Sequence, residues 1–258
     1  MAKAAARSSV GRGEVRAEPD VARDLLAISD ELTARLARLK FCPPVTHVYC
    51  PLEYAREVFA NYVRRYADNQ EVVLLGMNPG PWGMAQTGVP FGEVNIVRDW
   101  LGLCGRIDRP RVQHPKVPIM GWDCHRCEVS GSRLWGWARD MFKAPARFFR
   151  RFFVLNYCPL IFLEEGGRNR TPDKLLTEER SQVAALCDSA LRRTIEAIAP
   201  TYVVGVGNFA ESRARAALDG MSVTIGRILH PSPASPAANG NWAKAAVGQL
   251  RQIGIQVP

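Results

Sequence analysis

A chain of 258 residues, 47% hydrophobic and 23% charged, can bury a sizeable core and is too long for a disulfide-stapled miniprotein. Lys and Arg outnumber Asp and Glu by 34 to 25, a net charge of +9, which points toward a polyanionic partner such as nucleic acid. Seven irregularly spaced cysteines argue against a secreted disulfide framework and for a reducing interior; no stretch has the length of a membrane span, and the N-terminus lacks an apolar signal core.

Residues 1–20 read as a flexible tail with no hydrophobic period, and residues 21–258 as one domain. A helix is predicted over 20–39, capped by Asp20, from the stripe Leu25, Ile28, Leu32, Leu36 and Leu39. A second is predicted over 52–66, with Val58, Phe59, Tyr62, Val63 and Tyr66 on one face. A third runs over 177–199, capped by Thr177, with Glu178 and Glu179 at its positive end and Pro200 as its stop. Between them the nearly continuous apolar runs 72–75, 152–155, 202–206 and 223–229 predict strands buried on both faces of a parallel sheet. Strands alternating with helical segments give an α/β fold, a three-layer α/β/α sandwich. In such sheets ligands sit beyond the carboxyl ends of the strands, so the loops that follow carry the chemistry.

The loop over 76–93 holds five glycines and three prolines, a rigid, irregular backbone able to approach a ligand closely. The segment over 156–160 follows the second run, and a Pro-rich loop over 230–239 follows the last. Together they offer Asn78, Asn156 and His230. None is acidic, which argues against a metal site or a carboxylate pair there.

These loops resemble those of the single-strand-selective monofunctional uracil-DNA glycosylase family, within the uracil-DNA glycosylase superfamily. The resemblance starts near Pro51 and runs to the C-terminus, taking in Glu128-Val129-Ser130-Gly131, the stretch from Gly167 to Pro172 and Val203-Val204-Gly205-Val206-Gly207. It implies a small, largely parallel central sheet and a DNA-repair hydrolase that excises uracil and leaves an abasic site. It implies that Asn78 holds the attacking water, His230 stabilises the departing base, Asn156 reads it, Phe91 stacks on it and the Met77 amide contacts it. It also implies that the loop carrying Gly167, Arg168, Asn169 and Arg170 contacts DNA, and that Pro231, Ser232, Pro233, Ala234 and Ser235 belong to a wedge over 231–238 that enters the stack when the base leaves. Vertebrate relatives carry Arg where Ala234 stands, so a smaller, uncharged wedge with weaker duplex opening is expected here. The implied partner is single- or double-stranded DNA, with no cofactor and no metal; a monomer with access to DNA, in a bacterial cytoplasm or a eukaryotic nucleus, is expected.

The residue chemistry suits these roles. Breaking the glycosidic bond drives negative charge onto the uracil oxygens, and one fixed donor such as His230 is worth roughly 3–4 kcal/mol there. Asn78 cannot act as a base, but it orients water by accepting a hydrogen bond. Asn156 can donate to uracil O4 and accept from N3–H, and cytosine reverses both groups. Gly80 stands where the strictly uracil-specific branch of the superfamily carries an aromatic side chain, so room at C5, and excision of 5-hydroxymethyluracil and similar bases, is expected. On that reading Gly80→Tyr removes the 5-substituted substrates and spares uracil.

Each residue also has a plainer reading. Taken singly, His230 is a loop or core histidine, Asn78 a turn residue and Phe91 core. The basic and aromatic residues over 133–151 read as an amphipathic helix or as a DNA platform. Cys124, His125 and Cys127, with Cys104 and His114 upstream, have zinc-like ingredients but no second Cys-x-x-Cys pair. Gly205-Val206-Gly207-Asn208-Phe209-Ala210 matches a dinucleotide fingerprint but lacks the acidic residue about 20 positions on. A nucleotide-binding enzyme and a catalytically silent nucleic-acid binder are therefore the alternatives to a glycosylase.

Overall fold

The computed structural model describes residues 20–235 and 238–258. The tail expected over 1–20 thus lies, apart from Asp20, outside the described residues, as do Pro236 and Ala237 of the expected wedge. In chain order the elements are α1 (Asp20–Leu36), β1 (Val45–Tyr49), α2 (Pro51–Tyr54), α3 (Arg56–Tyr66), β2 (Val72–Gly76), α4 (Met84–Thr87), α5 (Val129–Phe142), α6 (Pro145–Phe149), β3 (Phe152–Asn156), β4 (Ile161–Glu164), β5 (Asn169–Arg170), α7 (Thr177–Ile198), β6 (Tyr202–Val206), α8 (Asn208–Ala217), β7 (Thr224–Ile228) and α9 (Trp242–Gln252).

The four predicted strands form one all-parallel sheet in the order β3-β2-β6-β7. Their apolar runs are buried as the lack of alternation demands: Val72 to Leu75, Phe152 to Val154, and Val203 and Val204 expose nothing. The register sets Gly76 directly opposite Asn156, so the β2 and β3 loops leave the sheet side by side. A second, antiparallel sheet, β1-β4-β5, had no expectation in the sequence. Thr46 and His47 break the apolar pattern of β1, and β4 lies in the same apolar run as β3, so neither stands out by period.

The helices depart from expectation at their ends. Asp20 lies in the first helical turn of α1, and beyond Leu36 the hydrogen bonds tighten from Ala37→Thr33 to Arg38→Arg35 and Leu39→Leu36. The helix expected over 52–66 breaks at Ala55 (φ −110°, ψ 28°) into α2 and α3. At α7 the capping position is Leu176, not Thr177. Glu179 accepts the Leu176 N–H at 3.2 Å and reaches back to the Cys42 N–H at 2.7 Å.

The aromatic residues over 133–151 are core. Trp137, Phe142 and Phe148 pack edge to face, Phe148 stacks on Phe152, and Arg139, Lys143, Arg147 and Arg150 point outward. This segment is an amphipathic helix pair with a basic outer face. Among the described residues no helix is long and apolar enough to cross a membrane.

Candidate active site

Gly76 ends β2 where a side chain would crowd two others. A Cβ there would lie 2.2 Å from Asn156 Oδ1 and 2.6 Å from Phe91 Cε2, so only glycine lets the amide and the ring meet over the strand end. The Asn156 amide nitrogen donates to Met84 Sδ at 3.1 Å, while its Oδ1 is buried with no hydrogen-bond partner among the described residues. A buried amide oxygen left unpaired costs free energy, which an N–H brought by a ligand would relieve. Phe91 holds a left-handed backbone (φ 55°), and Gly131 in α5 lets that helix abut its carbonyl, where a Cβ would come within 2.0 Å.

The residues after Gly76 are zipped to those after Asn156. Tyr157 N–H donates to the Gly76 carbonyl and Cys158 N–H to the Met77 carbonyl, both at 2.9 Å. Asn78 then donates its amide N–H to the Leu160 carbonyl at 3.1 Å. That bond fixes which end of the carboxamide is the acceptor: Oδ1 is left to accept a hydrogen bond.

His230 comes from the far edge of the sheet and crosses Gly207, the residue after β6. A Cβ at Gly207 would lie 3.1 Å from His230 Cβ, a tight approach, and φ there is 95°, a backbone that favours glycine. The imidazole reaches Phe91 with ring centroids 6.2 Å apart. Its Nδ1 accepts the Ser232 N–H at 3.1 Å, which in the neutral ring puts the proton on Nε2. Burial pushes its pKa down to about 4, so the ring is a neutral donor near neutrality. Phe91 therefore touches both ends of the cluster, with Asn156 on one side and His230 on the other.

The space directly beside Gly80 is filled by Glu128. A Cβ there would lie 2.4 Å from Glu128 Oε2, and one at Gly83 2.8 Å from Glu128 Cγ. The carboxyl accepts the Trp82 N–H at 3.3 Å. Burial raises its pKa, partly offset by that bond. Arg126 stacks over the outer side of Trp82, 4.1 Å from the ring centroid. Sequence reasoning gave Glu128 no role, although it lies in the stretch that carried the resemblance.

The outer loops are built differently. In the loop after β7, Pro231 is buried, Ser232 and Ser235 are half-buried, and Pro233 and Ala234 are exposed. Arg133 of α5 holds its base, donating to the Pro231 carbonyl at 2.9 Å and to Asn239 Oδ1 at 3.4 Å, while Asn239 donates to the Pro233 carbonyl at 3.0 Å. In the other loop Gly167 takes φ 83°, Arg168 is exposed, and Asn169 donates to the Pro79 carbonyl at 3.0 Å, tying this loop to the first. Arg170 is engaged by Glu164 at 2.7 Å and by the Lys174 carbonyl, which leaves Arg168 as the outward cation.

The dinucleotide-like glycines have packing reasons. A Cβ at Gly205 would strike the Glu211 backbone nitrogen at 2.3 Å, so Gly205 serves strand–helix packing and Gly207 serves His230. All seven cysteines are free, and among the described residues no group of three or more His, Cys, Asp or Glu could hold a metal ion. Cys127 instead lies 3.1 Å from Ser132 Oγ.

A family model described as the uracil DNA glycosylase superfamily matches residues 63–251. The single-strand selective monofunctional uracil-DNA glycosylase of Rattus norvegicus is 50% identical over 227 residues, 87% of this chain and 82% of its own length. The Bos taurus protein of that name is 48% identical over 233 residues, 89% of this chain and 84% of its own. The crystal structure of wild-type Pedobacter heparinus SMUG2 superposes with a TM-score of 0.60 at 14% identity, over 88% of this chain and 98% of that one, a likeness of fold.

Proposed function

The chain belongs to the single-strand-selective monofunctional uracil-DNA glycosylase family of the uracil DNA glycosylase superfamily, and from that premise we propose how its strand-end loops release a base. The reaction is hydrolysis of the N-glycosidic bond of deoxyuridine in DNA, giving free uracil and an abasic site. The observation that carries the residue assignment is the buried, unpaired Oδ1 of Asn156 beside the Phe91 ring.

An everted uracil stacks on Phe91 and brings its N3–H to Asn156 Oδ1, while the amide NH2 donates to O4. Cytosine would present a bare N3 and an amino group, leaving both Asn156 groups unmatched. As the C1′–N1 bond lengthens, the sugar gains cationic character and the base negative charge. His230, neutral and protonated on Nε2, donates to O2 and stabilises the leaving anion. Asn78, oriented by Leu160, accepts a hydrogen bond from the water that attacks C1′. The backbone at Met77 and Gly80 lines the same pocket. Neither the strand-end loops 76–93 and 156–160 nor 230–239 contains a lysine to form a Schiff base, which suits a water-only mechanism.

Pro231, Ser232, Pro233, Ala234 and Ser235 act as the wedge in duplex DNA, and Arg168 contacts phosphate in the loop shaped by Gly167, Asn169 and Arg170. The protein acts as a monomer on single- and double-stranded DNA and on 5-substituted uracils as well as uracil, in a reducing compartment consistent with seven free thiols. The test incubates the protein with oligonucleotides bearing one uracil and reads alkali-labile sites. The wild type gives them, Asn78→Ala and His230→Ala give few, and normal cleavage by both variants would refute the assignment.

A further inference from the structure

Glu128 is a largely buried carboxyl with no cationic partner among the described residues, and the proposed mechanism gives it no role. Its one hydrogen bond, from Trp82 N–H at 3.3 Å, is long, and it engages Oε2 alone. Two glycines in four residues, Gly80 and Gly83, are kept free of side chains by its presence. The next residue, Met84, touches the amide nitrogen of Asn156, the nitrogen assigned to uracil O4. On the uracil ring the atom beyond C4, away from N3, is C5. With the base in the proposed orientation, the turn over 80–84 and the carboxyl packed on it would lie toward its C4–C5 side.

We propose that the Glu128 carboxyl is the group that reads the 5-substituent, accepting a hydrogen bond from the hydroxyl of 5-hydroxymethyluracil and disfavouring the methyl of thymine. The inference rests on the base orientation given above. In either protonation state one carboxyl oxygen can accept. A hydroxymethyl group gives the buried carboxyl the partner it lacks, whereas a methyl strips water from it and returns nothing. Such a device keeps the abundant 5-methyl base out while admitting an oxidised one of nearly the same size, a discrimination that an apolar pocket makes poorly. Glycine at position 80 then serves to seat the carboxyl rather than to leave open space.

The experiment compares two bases of matched shape, 5-hydroxymethyluracil and 5-ethyluracil, each placed once in a single-stranded oligonucleotide, with uracil as the reference. The ratio of kcat/KM for hydroxymethyl over ethyl is measured for the wild type, Glu128→Gln and Glu128→Ala. Leaving-group differences between the two bases are common to all three proteins and cancel in the comparison. The wild type should prefer hydroxymethyl by tenfold or more, Glu128→Gln should keep much of that preference through its amide oxygen, and Glu128→Ala should lose most of it. A wild-type preference under threefold would overturn the proposal without any variant, and so would an Ala variant with an unchanged ratio. Should the wild type release no uracil either, the base orientation itself would fall together with this inference.

Discussion

Asn156, Phe91 and Asn78 are each fixed by close neighbours: Met84 sulfur and the bare Gly76 for the first two, the Leu160 carbonyl for the third. Among the described residues the loop after His230 is tied to α5 through Arg133, its other bonds run within the loop (Asn239 to the Pro233 carbonyl, Ala234 N–H to Ser232 Oγ), and Pro233 and Ala234 are exposed at its tip. The difference suits the roles proposed for each region. Charge that develops on a base is stabilised by dipoles already in place, because reorienting them during the reaction would cost what they contribute. A wedge meets a duplex of any sequence and gains by adapting to it. His230 joins the two regions: its ring belongs to the fixed side and its orientation is set by Ser232, the first amide of the loose one.

The comparison breaks most visibly at His230. On the proposed roles, His230→Ala removes one transition-state donor and should lower the single-turnover rate on uracil about 100- to 1000-fold. A loss under tenfold would move the chemistry elsewhere. Asn156→Asp keeps the shape but trades the NH2 donor for a second acceptor, and excision should drop roughly 10- to 100-fold in kcat/KM as O4 loses its partner. Arg133→Ala loosens the wedge alone. Excision from duplex DNA should fall by about five- to tenfold and excision from single strands by much less, in line with the loss of two charge-assisted bonds, one of them long. Equal losses on both substrates would mean that the loop's anchoring belongs to the fixed side after all.

The smallest effect is a flat pH profile. With its pKa held near 4 by burial, His230 stays neutral across the physiological range, so base release should show no acid limb near 6.5 and should decline only as pH falls toward 4. The same shift acts on stability. The unfolded histidine, near 6.5, takes a proton first, so the contribution is complete above pH 6.5 and is lost as pH falls to about 4. Chemical denaturation of His230→Gln across this window should lack that slope.

The parallel sheet was legible because strands buried on both faces leave an unbroken apolar signature, and the strand ends then pointed to Asn78, Asn156 and His230. The antiparallel sheet was not, since its strands are short and β1 carries Thr46 and His47 at its middle. Resemblance supplied the site roles, but tertiary contacts supply what orients each group. The Leu160 carbonyl, the Met84 sulfur and the Ser232 amide carry no sequence signal beyond their place in the loops. Glu128 opens the 128–131 stretch that carries the resemblance, yet only the glycines at 80 and 83 reveal what it touches. That the Glu128 carboxyl lies beside Gly80 had no sequence signal, because a missing side chain says nothing of its neighbours.

The most direct test is a crystal structure with DNA carrying a single 2′-fluoro-2′-deoxyuridine, whose glycosidic bond resists cleavage. The account predicts the uracil turned out of the helix onto Phe91, with N3 about 2.8–3.1 Å from Asn156 Oδ1 and O2 at similar range of His230 Nε2. A uracil still stacked in the DNA, or everted into a pocket lined by neither residue, would contradict it.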